Sequence, residues 1–356
     1  MNIKRKGILQ SPFIYVSPST KAVLSMMLCL LLPQIALLFV TRSFSSLLVL
    51  LSTVLASLVA EALYGFRKTP SVVTWLVALL QGLLVGFLLP ASYPPLAIFV
   101  ICLCSMLFGK YAFEGFAASW VNPVALSVAV AYLVYAHPFP PFLADLSILR
   151  EKNSVLTLIQ NGQFPLSPVD SRITEFLNKN VFRRFGMEIP DGYVTLFWDS
   201  GSPIPAFRFN LLNLLASLVL FSGDMLGLMI PASFCLAYGL LVRFAPISHF
   251  AGVQLYGDIF LAFLTSGVLF STLFILQWFG TIPASSWGRL LYGLCAGLFS
   301  YLILGYGTSS VGYAFVVLVM NFVSIVIQGF ETHRMKSFYI KSVKPRLEAL
   351  KEVRAV

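Results

Sequence analysis

Apolar residues run together along most of the chain, and the polar positions between the runs are few and short. The runs do not alternate as strands of a barrel do. They approach or exceed the roughly 18–20 residues that carry a helix across a bilayer core. The pattern predicts helical spans over 22–41, 44–65, 71–89, 94–109, 117–135, 209–223, 226–242, 257–278, 288–304 and 311–329. The sixth and seventh lie in one apolar stretch broken by Gly223-Asp224 and Pro231, so a pair of half-helices or a hairpin is an alternative there. Between the fifth and sixth, residues 136–208 are polar. Within them the spacing predicts a short amphipathic helix from Asp170 to Gly186, with Ile173, Phe176, Leu177 and Phe182 on one face.

Composition agrees with this pattern. Of 356 residues 58% are hydrophobic and 11% charged, with a mean hydropathy of +0.87. A soluble domain is typically about 45–50% apolar and about 25% charged. The expectation is an all-α polytopic membrane protein. The start, MNIKRKGILQSPFIYVSPSTK, is basic and long and offers no small-residue cleavage site, so the first span is expected to remain in the protein.

The net charge of +10 does not indicate nucleic acid, because it gathers at Lys4-Arg5-Lys6, Arg67-Lys68, Lys110 and the tail from Arg334 to Arg354. Such clusters flank spans on their cytoplasmic side. With the amino terminus inside, those clusters and Arg289 all fall inside, and the uncharged loop ASYPP (91–95) falls outside. Nine spans would put the basic tail outside, so ten are expected. The division is then a cytoplasmic basic N-terminus (1–21), five spans (22–135), an extracytoplasmic region (136–208), five spans (209–329) and a basic cytoplasmic tail (330–356). In a bacterium this is the inner membrane.

Two halves of the chain also resemble each other. LPASYPPL (89–96) pairs with IPASSWGRL (282–290), and FAASWVNPVALSV (116–128) with YAFVVLVMNFVSI (313–325), which sets Asn122 against Asn321 near mid-helix. Repeats offset by five spans are inserted upside down relative to each other. That is the inverted-repeat design of many transport proteins, with the site at the repeat interface. Chance recurrence of Pro-Ala-Ser turns is the alternative.

Polar groups inside hydrocarbon cost several kcal/mol or more per charge, so each calls for a reason. Glu61 lies near the end of the second span, Asp224 in the break between the sixth and seventh, and Asp258 at the start of the eighth. Lys110 and Glu114 flank a short loop, and Asn122 and Asn321 are amides able to bridge helices or cap unwound backbone. Each has two readings: structural hydrogen bonding or anchoring, and an ion or proton path. The five Cys, at 29, 102, 104, 235 and 295, all sit in apolar runs and read as small packing residues. No phosphate-cradling GxxxxGK[ST], paired metal-ligand His or CxxC is present; His137, His249 and His333 share no spacing. A hydrolytic or metal-centred site is not expected.

Several segments, taken in order, resemble the RnfD/NqrB family of flavin-carrying membrane subunits of ion-pumping redox complexes. QGLLVGFLLPASYPP (81–95) is similar to TGLLLALxLPPxxP, GKYAFEGFAASWVNPVAL (109–126) to KQxYGGxGxNPFNPA, and SGDMLGLMIPAS (222–233) to GNxPGxIGETS. GRLLYG (288–293) and GYAFVVLVMN (312–321) resemble its GRL and GxAFAVLLMN segments. Glu61 followed by Arg67-Lys68 sits where the family has such residues. Two departures stand out: GETS has become IPAS (230–233), and the first Asn-Pro of NPFNPA has become Ala118-Ser119.

The resemblance implies FMN esterified to the last Thr of a D-x-x-S-G-A-T signature in the extracytoplasmic loop. Asp191-Gly192-Tyr193 begins that pattern, but Val194, Thr195, Leu196 and Phe197 replace Ser-Gly-Ala-Thr. Other registers offer Ser200-Gly201-Ser202-Pro203 and Asp170-Ser171-Arg172-Ile173-Thr174. A flavin phosphate needs close backbone N–H approach, which small residues permit and Leu or Phe obstruct. The candidate attachment residues are therefore Thr195, Ser202 and Thr174, against a noncovalent flavin (FMN or riboflavin), a lost cofactor, or an ordinary turn. Trp198, with Phe197, could stack on an isoalloxazine ring or anchor at the interface.

The function so implied is an Rnf-type subunit that positions a flavin and gates Na⁺ or H⁺ movement, as one part of a ferredoxin/NAD or NADH/quinone-type oxidoreductase. Its partners would be the other membrane and peripheral subunits, with membrane lipid around it and no nucleic acid. The basic cytoplasmic segments dock an acidic partner or simply follow the positive-inside rule. The alternatives are a non-redox solute transporter or channel of the same design, with Asn122 and Asn321 lining a midplane site, and a cofactor-less scaffold subunit.

Overall fold

A computed structural model describes residues 18–66, 71–113, 115, 119–140, 166–245, 258–305 and 309–343. Lys4 to Lys6, Arg67-Lys68, Glu114, Ala118, His249 and the tail beyond 343 lie outside them. The described residues are helical and carry no strand. Five helices precede the polar segment: α1 (Thr20–Val40), α2 (Phe44–Gly65), α3 (Val72–Phe87), α4 (Pro95–Met106) and α5 (Pro123–Val134). Two lie within it, α6 (Asp170–Asn180) and α7 (Tyr193–Trp198). Six follow: α8 (Asn210–Ser222), α9 (Met229–Phe244), α10 (Ile259–Leu264), α11 (Val268–Phe274), α12 (Ser286–Leu304) and α13 (Gly312–Phe338). Four of them, α1, α2, α12 and α13, are long and apolar enough to cross a membrane unaided. With the shorter apolar helices they make a multi-pass membrane protein.

Helix starts follow local chemistry. Ser19, Ser71 and Ser285 cap α1, α3 and α12 by accepting from the N–H groups of Ala22, Thr74 and Gly288. Pro95 and Pro123 open α4 and α5, where the missing N–H removes nothing. The sixth and seventh spans form as separate helices, parted at Gly223–Leu228, where Asp224 adopts a positive φ of 50°.

Three spans differ from the sequence expectation. The fourth runs on through a π-helical turn, Leu107–Tyr111. The fifth starts at Pro123 rather than 117, because Asn122-Pro123 supplies a cap and a first-turn proline. Its 12 residues rise only about 18 Å, well short of a core about 30 Å thick. The eighth is broken: α10 stops at Leu264, Gly267 turns the chain at φ 63°, and α11 continues for 7 residues before unwinding at Ile275. The ring of Phe207 occupies the place where a Cβ on Gly267 would sit, so only glycine fits that turn.

Small residues set the closest helix contacts. On α3, Gly82 and Gly86 face the α2 backbone: added Cβ atoms would meet Val54 Cα at 2.7 Å and Leu50 Cα at 2.8 Å. On α12, Gly293 and Gly297 face α9, with the Ile230 carbonyl at 2.7 Å and the Tyr238 nitrogen at 2.9 Å. Helices in lipid gain little from apolar burial against one another, so close backbone approach of this small-xxx-small kind does the holding. Packing pairs α1 with α3, α2 with α3 and α4, and α4 with α5; further along it pairs α8 with α11, α9 with α12, and α12 with α13. The sets meet where α1 touches α8 and α5 touches α13.

One end of the bundle gathers the polar segment. Ala91 donates to the Pro203 carbonyl (2.9 Å), Ser92 to Pro138 (3.3 Å) and Ser310 to Pro140 (2.7 Å). Arg208 clasps Asp199 through two nitrogens at 2.8 and 2.6 Å and also donates to Ser43 in the α1–α2 turn. The segment is thereby tied to the spans on both sides of it.

Candidate functional site

Two places concentrate polar chemistry, one inside the bundle and one in the polar segment. In the bundle, Asn122 is a cap rather than a mid-helix residue. Its Oδ1 accepts from the N–H groups of Val124 and Ala125, and its Nδ2 donates to the Ile275 carbonyl at 2.9 Å. That carbonyl belongs to the first residue past α11, so Asn122 joins the start of one short helix to the unwound end of another. Asn321 is buried nine residues into α13, not at the place that matching it with Asn122 implies. Both of its amide atoms lack a hydrogen-bond partner among the described residues, as do both amide atoms of Gln81 on α3 and Nε2 of Gln277. Helices α1 and α8 contribute a buried pair, Gln34 Nε2 donating to Asn213 Oδ1 at 2.7 Å. A membrane interior with several unsatisfied amides is a high-energy arrangement unless something polar reaches it.

Glu61 is buried and engaged. Its Oε2 accepts from Lys110 Nζ at 2.9 Å and from the Tyr111 hydroxyl. Lys110 therefore does not flank a loop; the π turn swings it inward to 1% exposure. Asp258 caps α10 through the Phe260 N–H, and Asp224 is exposed in its strained turn. Asp224 lies with Arg289 and Gln277 along a cavity of about 350 Å³ beside the start of α1.

In the polar segment, α6 is shorter than expected. It ends at Asn180, and a 3₁₀ turn, Phe182–Phe185, follows. Asn178 folds the following loop back by donating to the Ile189 carbonyl and accepting from its N–H, at 2.8 and 2.9 Å. Gly192, at φ 112°, then turns the chain into α7. Ile173, Leu177 and Phe182 share the inner face as the sequence pattern implies, but Phe176 is 63% exposed. With Val169, Ile189, Val194, Phe197, Trp198 and others they wall an apolar cavity of about 670 Å³.

Asp170 closes one side of that cavity, buried to 1% exposure. Its Oδ1 accepts from Gly192 N–H (2.8 Å) and the Thr174 hydroxyl (3.0 Å). Its Oδ2 accepts from Thr195 N–H (2.6 Å) and the Thr195 hydroxyl. Burial pushes this carboxyl up, but the bonds from Thr195, Gly192 and Thr174 outweigh it and hold it below its ordinary value. The carboxylate thus holds the start of α7 from a residue 22 to 25 positions earlier in the chain than its partners Gly192 and Thr195. The sequence pattern places Asp170 only at the head of a helix; nothing local in the chain marks the partner it meets.

A family model for the NQR2, RnfD, RnfE family matches residues 8–336. The chain belongs to that family. It is also similar to the D component of the ion-translocating oxidoreductase complex of Haemophilus influenzae strain PittGG, 21% identical over 317 residues, covering 82% of this chain and 86% of that protein. The corresponding protein of Actinobacillus succinogenes is 23% identical over 364 residues, 93% of this chain and 98% of that one. That of Actinobacillus pleuropneumoniae serotype 5b is 24% identical over 308 residues, 77% and 82% respectively.

Membership raises the question of a phosphoester flavin, and the residues answer it poorly. Thr195 and Thr174 are both buried, and both spend their hydroxyl protons on Asp170. Where a phosphate would need donors, the nearby N–H groups already serve a carboxylate. Ser202 lies apart from the cavity. Around it the Gly201 N–H goes to Asp199 Oδ1, the Ile204 N–H goes to Ser202 Oγ itself, and Pro203 has none. Trp198, 48% exposed, does line the cavity as a ring-stacking residue would.

Proposed function

We propose that this chain is an RnfD-type subunit of an ion-translocating oxidoreductase complex, coupling electron transfer to Na⁺ or H⁺ movement across a bacterial inner membrane. The family match over residues 8–336 carries the assignment of class. The observation favouring ion movement through this chain is the broken eighth span, whose unwound end at Ile275 is held by Asn122 within a bundle that also buries unpartnered amides on Asn321 and Gln81. Discontinuous helices with exposed backbone carbonyls are how many transporters present oxygen ligands to a cation.

In this reading the chain spans the membrane ten times, with α10 and α11 forming one crossing and both termini in the cytoplasm. Residues 136–208 face outward. Two five-span halves are related by inversion: the corresponding contacts α1–α3 and α8–α11, α2–α4 and α9–α12, and α4–α5 and α12–α13 support this. The partners are the other membrane and peripheral subunits of the complex.

Any flavin held here is noncovalent, and the apolar cavity against Phe197 and Trp198 favours a ring without a phosphate, as in riboflavin. A cofactor-less scaffold is the second reading, favoured by the same Asp170 corner. Purification of the tagged chain from its host membranes, with redox-driven uptake of ²²Na⁺ or protons by the complex in vesicles, tests the proposal. Uptake is expected to fall at least tenfold in Asn122→Ala with electron transfer largely retained. Purification without redox subunits would overturn the assignment, and unchanged uptake would move the ion path elsewhere.

A further inference from the structure

We infer that Asp170 fills, from within the chain, the anion position that a phosphoester flavin on Thr195 or Thr174 would occupy, so that no flavin is esterified to the polar segment of this protein. Four donors converge on one carboxylate: the hydroxyls of Thr174 and Thr195 and the N–H groups of Gly192 and Thr195. Convergent N–H and O–H groups form an ordinary receptor for an anion. Here the receptor is saturated by a residue of the same chain. Both ends of the clamp are shut away from water, since Asp170, Thr174 and Thr195 are all at 3% exposure or less.

Esterification would have to undo this corner twice. It replaces the very hydroxyl hydrogen that Thr195 or Thr174 donates to Asp170, leaving a buried carboxylate short of a donor. It then sets a phosphodiester, which carries a negative charge, beside that carboxylate, and like charges repel strongly in a buried site. The third candidate has no better setting, because the N–H groups flanking Ser202 are already committed or absent. Within α7, Leu196 stands where the attachment signature has Ala and Phe197 where it has the acceptor Thr, so that register offers neither close backbone approach nor a hydroxyl to esterify.

The carboxylate has a structural role in exchange. It joins α6 to α7, and α7 in turn meets the bundle through Asn210, whose Nδ2 donates to the Leu196 carbonyl at 2.9 Å and to the Leu264 carbonyl at 2.8 Å. The second of these is the last residue before the break in the eighth span. Asp170 thus anchors the helix whose far end is fastened to the broken span. The reading of the chain as a redox-complex subunit is what makes a phosphoester flavin an issue, and partner co-purification tests that reading separately.

The test uses the full chain expressed with its partners, in cells whose flavin transferase also modifies a control protein bearing the intact Ser-Gly-Ala-Thr signature. Tryptic peptides 173–179 and 185–208 contain Thr174, Thr195 and Ser202. Both are expected at their unmodified mass, with no ultraviolet-fluorescent band for this chain on a denaturing gel, while the control fluoresces. An FMN adduct on either peptide would overturn the inference. Amide hydrogen exchange provides the second measurement. The Gly192 and Thr195 amides are expected to be protected in the native protein and to exchange at least tenfold faster in Asp170→Ala. If those two amides exchange freely in the native protein, the clamp does not exist and the inference fails with it.

Discussion

Replacing Glu61 with Ala should cost far more than replacing Glu61 and Lys110 together. Glu61 and Lys110 form an ion pair at 2.9 Å with side chains 3% and 2% exposed. Removing the carboxylate alone leaves an ammonium in a low-dielectric interior, where the penalty is about 3–5 kcal/mol. The Tyr111 hydroxyl also loses its acceptor, and one unsatisfied buried group adds about 1–3 kcal/mol. Glu61→Ala is therefore expected to destabilise by roughly 4–8 kcal/mol. The double variant Glu61→Met/Lys110→Met removes both charges and nearly keeps the volume; a buried pair replaced this way is often no less stable, which leaves only the Tyr111 loss of about 1–3 kcal/mol. The interaction energy from the cycle of Glu61→Met, Lys110→Met and the double variant should then exceed about 2 kcal/mol. Denaturant titration of the detergent-solubilised complex, followed by near-ultraviolet circular dichroism, measures all four forms. Additive single effects would show that the two residues do not act as a pair. A stable double variant that retains redox-driven ion uptake would assign them a structural task, while loss of uptake in a stable double variant would place them on the ion path.

Gly293→Ala should destabilise the α9–α12 contact by about 1–3 kcal/mol, because its methyl would collide with the Ser233 hydroxyl and meet the Ile230 carbonyl at 2.7 Å; the shift in thermal midpoint reads this. Asn122→Ala removes a helix cap and leaves the Ile275 carbonyl without its amide donor, a loss of roughly 2–4 kcal/mol measurable by the same titration. Gly267→Ala forces a side chain into both a positive φ and the Phe207 ring, and is expected to lower the yield of folded protein on size exclusion. The Asp170 carboxyl is held low in the folded state, so its stabilisation is complete above the unfolded value near about pH 4 and is lost as pH falls through the lower folded value. Trp198 fluorescence should accordingly report loosening of α6 from α7 only below about pH 4, and Asp170→Asn should flatten that dependence.

The helices and their order were legible in the sequence, because hydrocarbon length and apolar runs leave little choice. What escaped was every feature decided by a few residues against a strong apolar background. The run 117–121 concealed that Asn122-Pro123 is a helix start, although the cap and first-turn proline were both there to be read. Thr265-Ser266-Gly267 likewise sat inside an apolar run and broke it. Lys110 looked like a loop residue because its partner, Glu61, lies 49 positions earlier and the π turn that aims it has no sequence signature. Of the three attachment candidates, Thr174 and Thr195 stand at one place. They meet through Asp170, which the chain separates from Thr195 by 25 residues.

In the proposed inverted arrangement the two halves share helix pairings but not continuity, and that difference bears on mechanism. Each uses a Gly-xxx-Gly pair to bring backbones together, on helices that do not correspond: Gly82 and Gly86 on α3, Gly293 and Gly297 on α12. Yet α3 is a continuous helix of 16 residues, while the helix that the proposed inversion would match to it is divided into α10 and α11. A symmetrical pair of broken helices would present two equivalent sets of freed carbonyls. Here side chains from other elements meet carbonyls of the divided stretch: the Asn210 amide reaches Leu264, just before the break, and Asn122 reaches Ile275, at the far end of α11. The divided stretch is therefore fastened before its break by the residue that also grips α7, and at the end of α11 by the cap residue of α5. Movement of α7 and loosening of the broken span are mechanically joined through the Asn210 amide. Asn210→Leu should then leave the α6–α7 corner folded, as judged by protected Gly192 and Thr195 amides, while the amides of 264–268 lose protection. Equal loss at both places would mean that the corner and the break are not separate units, and that the coupling runs through the whole segment rather than through one amide.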